Sequence, residues 1–438
     1  MTQSRLLAAG LIAMLLAGGG CESGDDEGAD GDAMTSPPND AGLDAGEDGS
    51  VVRDGSAGDG DVDDEGGSDG GARDAEADAS LDGAVMDAGP DAQEPDAAVV
   101  QQTAHIYVGG FSTDIIHLVL DRDSGALSHR GATAAGDEPA YLAVRPQRDA
   151  LYAINESGLA AGSEVIAFKI DAESGELSMI NTVPSGGEGA VHLSVHPTGG
   201  WIAVAHYDSG HVSILPVRDD RGLGGVVDID RGPADGARKA HQAVFDARGT
   251  ALFVPCLENN YVLQYQFQLG ALVLNTPATV AVTGGPRHLA ISADQHYAYV
   301  LSELGSTLTS FEYDGVTGHL ANPQTIDSEE ETKGASAHVA LHPNGKWLYL
   351  SNRDENSLGV YALGSDGRPQ LVEHERGGLA TPRDFAIDPA GEYLIAANQA
   401  GAQNLRVYRI DQDTGALSFV SSTNVGGEPS AVAIVLLP

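Results

Sequence analysis

From about residue 105 onward, apolar residues fall into short blocks separated by turn formers, without the spacing of three and four that helices require. Blocks such as Leu151-Tyr-Ala-Ile-Asn155, Trp201-Ile-Ala-Val-Ala205, Leu252-Phe-Val-Pro255, Tyr297-Ala-Tyr-Val300, Leu348-Tyr-Leu350 and Tyr393-Leu-Ile-Ala396 read as strands. Each follows a strand-end turn: Arg145-Pro146, His196-Pro197, Asp246-Ala247, Ser292-Ala293, His342-Pro343 and Asp388-Pro389. A second turn, glycine shortly before a leucine, places glycines at 125, 175, 222, 270, 318, 367 and 415. Their steps are 50, 47, 48, 48, 49 and 48 residues. A repeat of about 48 residues with room for four strands predicts a β-propeller blade, and seven copies predict an all-β, seven-bladed β-propeller.

The chain ends predict how such a ring closes. His105-Ile-Tyr-Val-Gly109 matches the second strand of a blade, whereas Ser430-Ala-Val-Ala-Ile-Val-Leu-Leu-Pro438 matches the first-strand segment Tyr141-Leu-Ala-Val-Arg145. One blade is therefore expected to combine N- and C-terminal strands, which removes the open edges that invite aggregation.

Composition divides the 438 residues unevenly. Residues 1–21 carry Arg5, an apolar run from Leu6 to Ala17 and then Gly18-Gly19-Gly20-Cys21, the pattern of a secretory signal rather than of a spanning helix. The small residues before Cys21 resemble a bacterial lipoprotein cleavage site, so lipidation at Cys21 is expected, with an ordinary signal peptide as the alternative. Residues 22–100 hold 25 acidic residues against Arg53 and Arg73 and few aromatic or β-branched ones. Such a segment buries too little apolar surface to offset its ordering entropy and is expected to be a disordered tether. Residues 101–438 form the propeller domain and still carry about −19 of the chain's −41, which argues against nucleic acid and anionic membrane surfaces as partners. Membrane attachment is expected only through Cys21, on an exported, envelope-anchored monomer. Cys256, in an apolar run, reads as an inert core thiol.

Candidate chemistry gathers where first strands begin and second strands end, since hairpin neighbours bring those positions to one rim. The stretch Gly284-Gly285-Pro286-Arg287-His288 with Leu301-Ser302-Glu303 is the clearest case. The same positions elsewhere are His192 with His206 and Tyr207, His241 with Cys256 and Glu258, and His338 with Asn352 and Arg353. Arg383 and Asp384 with Asn398 and Gln399, and Glu138 and Tyr141 with Asn155 and Glu156, complete the rim. Any one of these can be a solvated mouth residue. Imidazole, guanidinium and carboxylate groups from several blades suit an anionic or carbonyl-bearing small molecule. A metal fits poorly among three arginines with no His-x-x-x-His or Cys-x-x-Cys spacing. A serine nucleophile lacks a Gly-x-Ser-x-Gly turn, and haem attachment lacks Cys-x-x-Cys-His. No cofactor is expected.

These motifs, with His192-Leu-Ser-Val-His-Pro197, Ala240-His241-Gln242, Leu348-Tyr-Leu-Ser-Asn352-Arg353 and Thr381-Pro382-Arg383-Asp384-Phe385, resemble the lactonase family of seven-bladed propellers over about residues 103–438. That family includes the propeller-type 6-phosphogluconolactonase and the carboxy-cis,cis-muconate lactonising enzyme. The resemblance implies a metal-free site in which His241, Glu303 and Arg287 are catalytic. Arg353 or Arg383 would supply a further arginine, and His192, His288, His338, Arg353, Arg383 and Gln399 would bind substrate. His338 departs from the acidic residue the family more often carries there. The expected activity is hydrolysis of a lactone carrying an anionic group. A lactonising cycloisomerase and a non-catalytic binding propeller are the alternatives.

Overall fold

A computed structural model describes residues 102–156, 162–233, 239–330 and 334–438. The expectations for residues 1–21 and 22–100, including Cys21, lie outside the described residues. The described chain is all strand and forms seven antiparallel four-stranded sheets, each one blade. No described helix is long and apolar enough to cross a membrane.

The inner strands of the first six blades are Pro139–Val144, Ala190–Val195, Val244–Phe245, Pro286–Ile291, Ser336–Leu341 and Pro382–Ile387. In the seventh blade the inner strand is Pro429–Leu437, and it pairs with Thr103–Gly110 from Thr103↔Leu437 to Gly110↔Pro429. The termini thus share a blade, as the end motifs indicate. Seven apolar clusters form the core, one between each adjacent pair of blades. The cluster that joins seventh to first includes Tyr107, Leu142, Leu151, Ala433 and Val435. That last cluster closes the ring.

This layering explains the apolar pattern. Second strands such as Ala150–Asn155, Trp347–Asn352 and Tyr393–Asn398 are buried at every position because a neighbouring blade covers each face. Outermost strands such as Leu127–Ala134 are mostly exposed and read as polar.

The recurring glycine turns also acquire a role. Tyr107, Tyr299 and Tyr349 each donate a hydroxyl to the carbonyl of a turn glycine in the next blade: Gly175 at 2.6 Å, Gly367 at 2.9 Å and Gly415 at 2.8 Å. Phe253 occupies the same place in the third blade and has no hydroxyl; Asn275 donates instead to Thr317 and Gly318 carbonyls of the next blade. Gly367 has φ of +70°, and a Cβ there would lie 2.2 Å from a ring carbon of Tyr297. Left-handed backbone and an aromatic neighbour both demand glycine at that site.

One blade departs from the regular repeat. The third inner strand keeps only Val244–Phe245, with an isolated bridge between Ala240 and Cys256. Its facing strand contains Pro255, which accepts from the His241 N–H at 3.0 Å but has no N–H to return. His241 therefore sits on irregular backbone.

Candidate active site

The Gly284-Gly285 turn, with φ of +85° and +73°, delivers Pro286–Ile291 onto the rim. Glu303 N–H donates to Gly285 carbonyl at 2.8 Å and Leu304 N–H to Gly284 carbonyl at 2.9 Å. Pro286 pairs with Ser302 in the ladder, so Arg287 and Glu303 share the rim despite their separation in sequence. The same register, Ser336↔Asn352 and Pro382↔Asn398, brings in Arg353 and Arg383 from the next two blades.

Glu303 is the hub. Its Oε1 lies 2.5 Å from Arg353 Nη2, and its Oε2 lies 3.1 Å from Arg287 Nε and 3.9 Å from His241 Nε2. The Arg287 Nε approach is close but off the line of a hydrogen bond. Burial alone would raise the Glu303 carboxyl; Arg287 and Arg353 outweigh it and hold the group below its usual range. Arg353 is further fixed by donating to Ala335 carbonyl at 2.9 Å. Arg287, 3% exposed, donates to Ala337 carbonyl at 2.6 Å and to His288 Nε2 at 3.2 Å. Burial lowers its guanidinium to about 9, with Glu303 opposing, so it remains charged at neutral pH.

Four imidazoles follow round the channel. Ring centroids are 5.6 Å apart for His192 and His288, 5.5 Å for His241 and His288, and 5.1 Å for His288 and His338. Burial, reinforced by Arg287, holds His241 and His288 well below their ordinary value and His338 at about 3. Burial acts on His192 in the same way, with His338 and Arg287 adding to it. All four are neutral bases at pH 7. His241 Nδ1 is buried without a hydrogen-bond partner among the described residues.

A small recess opens beside them, lined by Tyr141, Glu156, His241, Arg287, His288, Arg383 and Asp384. Arg383 pairs only loosely, with Glu156 Oε2 at 3.8 Å, and lies over the Phe111 ring. Burial raises Glu156, against the pull of Arg383. A wider groove elsewhere is lined by Arg122 and Glu392, which pair with each other at 2.6 Å.

The structure thus assembles His241, Glu303, Arg287, His288, Arg353 and Arg383 at one mouth. His192 and His338 stand behind the recess wall, His192 packed on Tyr141 at 4.1 Å and His338 on Phe385 at 4.9 Å. Gln399 is farther out on the rim and donates to Glu428 at 3.5 Å. His206 is fully buried against Ser185 and His211, away from the mouth chemistry. Sequence spacing placed Tyr141, Glu156 and Asp384 on the rim without a role; only the folded recess singles them out. Among the described residues, no group of three or more His, Cys, Asp or Glu side chains is disposed to hold a metal ion.

Comparisons with known proteins agree with this architecture. The family described as a seven-bladed β-propeller lactonase matches residues 105–434. The 6-phosphogluconolactonase of Bacillus subtilis is 30% identical over 72% of this chain and 93% of its own length. That of Pectobacterium atrosepticum is 29% identical over 76% of this chain and 98% of its own. Among solved structures, the periplasmic gluconolactonase of Pseudomonas aeruginosa superposes with a TM-score of 0.70 at 28% identity, covering 77% of this chain and 100% of that one. A protein from Lactobacillus plantarum gives 0.68 at 26% identity, over 76% and 100%. The chain belongs to the seven-bladed β-propeller lactonase family.

Proposed function

We propose that the protein is a lactonase-type hydrolase acting on a lactone that carries an anionic group. The observation behind this reading is the unequal engagement of the mouth arginines. Glu303 draws on Arg353 and Arg287, whereas Arg383, among the described residues, meets a carboxylate at 3.8 Å and the face of the Phe111 ring. Arg383 therefore retains the capacity to hold a carboxylate or phosphate of the substrate in paired hydrogen bonds. His241, neutral and beside Glu303, takes a proton from water that Glu303 orients. Arg287 stabilises the oxyanion formed at the carbonyl carbon. His288 fixes the Arg287 guanidinium by accepting from Nη1, and Arg353 holds Glu303 in place.

The similar proteins named 6-phosphogluconolactonase and periplasmic gluconolactonase support lactone hydrolysis as the reaction class. The apolar run before Cys21 and the periplasmic relative support export, with a lipid anchor at Cys21 as its expected form. An exported enzyme meets sugar-acid or carboxylated lactones more readily than a phosphorylated cytoplasmic one. The test is a hydrolysis assay of the purified protein against phosphorylated, carboxylated and neutral lactones. Anionic lactones should be turned over with the higher kcat/KM. Absence of hydrolysis across all three classes would remove the reading.

A further inference from the structure

We infer that Asp384 is the proton donor to the ring oxygen that departs when the lactone opens, an inference that rests on the lactonase reading above. Asp384 is 5% exposed, yet its side chain lines the recess that His241 and Arg287 also line. Its Oδ2 accepts from Val432 N–H at 2.8 Å, on the C-terminal strand that closes the ring. Its Oδ1 lies 3.4 Å from His338 Nδ1, and that same nitrogen is 2.8 Å from His288 Nδ1.

The donors and lone pairs along this string constrain where the proton resides. Arg287 Nη1 can only donate, so His288 Nε2 must accept, and neutral His288 carries its hydrogen on Nδ1. That hydrogen is donated to His338 Nδ1, which occupies the single lone pair of that atom. An ionised Asp384 would then face a second acceptor with no hydrogen between them. Reversing both imidazoles would give the carboxylate a donor but would set His288 N–H against the Arg287 N–H, both buried. The acid form of Asp384 removes the negative charge from that contact and leaves His288 accepting from Arg287. With Oδ2 accepting from the backbone and the His338 lone pair taken, the Oδ1 hydrogen remains for the recess.

The other groups around Asp384 are Arg383 on its own strand, His338 on the adjacent blade, Arg287 on the blade beyond that, and the Tyr141 hydroxyl. Burial pushes the carboxyl up to about 7 against the pull of the Val432 and Phe385 N–H groups and of both arginines. His241 and Asp384 are thereby driven in opposite senses, the first to a neutral base and the second to a neutral acid.

The step balances. Water oxygen bonds to the carbonyl carbon while His241 takes one of its protons, and the carbonyl π pair moves onto the oxygen beside Arg287. That pair then re-forms the carbonyl, the ring C–O bond breaks with its electrons on the ring oxygen, and Asp384 gives that oxygen its proton. The product is a hydroxy acid; the proton held by His241 passes through solvent to restore Asp384.

Leaving-group chemistry separates this role from a structural one. The wild-type full chain and Asp384→Asn would be assayed on two lactones bearing the same anionic group, one releasing an aliphatic alkoxide and one a phenoxide. A proton donor matters for the alkoxide and little for the phenoxide. Asp384→Asn should lower kcat about 100-fold or more on the first and less than about 5-fold on the second. Equal losses on both would overturn the inference while leaving lactone hydrolysis intact. If the variant does not fold, the wild-type pH profile decides. The aliphatic lactone should lose kcat as pH rises through about 7 and the phenolic one should not; a limb common to both would overturn the assignment. Wild type inactive on both substrates would sink the lactonase reading, and this inference with it.

Discussion

Two inner strands carry a histidine at each end, and the ends behave differently. His192-Leu-Ser-Val-His196 and His338-Val-Ala-Leu-His342 have the same spacing and the same flanking chemistry. At the far end, His196 and His342 each accept a backbone N–H on Nδ1, from Thr198 and Asn344, both at 3.2 Å. Each then donates Nε2–H to the carbonyl of a turn glycine in the next blade, Gly249 at 2.9 Å and Gly391 at 2.8 Å. Both nitrogens are used within the ring. At the mouth His192 accepts from Ala243 N–H at 3.5 Å, while His288 and His338 meet one another, Arg287 and Asp384. His241 is left with Nδ1 unpartnered among the described residues. The same side chain is a fastener where the backbone satisfies both its nitrogens and, under the proposed function, a reagent at His241, where it does not.

That contrast predicts which damage reaches stability and which reaches turnover. The largest effect should come from deleting residues 430–438. Ala431, Ala433, Val435 and Leu437 leave one inter-blade cluster, and Val432 and Leu436 leave the other. At about 1.5–3 kcal/mol for each large apolar side chain, the loss rivals the whole stability of a typical domain, about 5–15 kcal/mol. Circular dichroism should show little folded protein, and a cooperative melt near wild type would contradict closure by the terminal strand.

His241→Ala should fold normally but lower kcat by about 10²–10⁴-fold, some 3–5 kcal/mol of transition-state stabilisation. Undiminished hydrolysis would remove His241 from the chemistry. At the fastening end, His196→Ala should cost about 1–3 kcal/mol of stability, because Gly249 loses its donor and the Phe245 and Phe267 rings lose a neighbour. Its kcat per folded molecule should stay at the wild-type value; a matching loss of kcat would erase the distinction between the two ends.

Arg383→Gln should raise KM about 10-fold for an anionic lactone and leave a neutral one nearly unchanged. Equal effects on both would exclude anion recognition at Arg383. The remaining effect concerns pH. A carboxyl raised in the folded state stabilises most below its unfolded value and loses that contribution as pH rises toward the folded one. For Asp384 this window runs from 3.8 to about 7. Wild type should therefore lose stability relative to Asp384→Asn across it, and parallel melting curves for the two proteins would show that Asp384 does not titrate there.

Much of the fold was legible because it is written repeatedly. Among the glycines from Gly125 to Gly415, Gly125, Gly175, Gly270, Gly367 and Gly415 turn against a ring of the neighbouring blade, as Gly367 does at Tyr297, whereas Gly222 and Gly318 meet no ring. A residue required for backbone reasons at equal intervals leaves a mark that needs no alignment. The rim was legible for a related reason: antiparallel register alone brings Arg287 to Glu303. The interruption near His241 was not, since Pro255 ends the ladder on a neighbouring strand rather than within the inner strand.

The chain's order of apolar, turn and charged residues determined seven blades, terminal closure and which side chains reach the mouth, because strand period and turn chemistry act locally. What those side chains do there was decided by the tertiary structure. Competition for lone pairs at His288 and His338, a carboxyl deprived of water at Asp384 and an under-engaged guanidinium at Arg383 depend on distances between blades. Residues about fifty positions apart settle those distances only when the ring is closed, and hydrogen bonding and desolvation act over a few ångströms of space rather than along the chain.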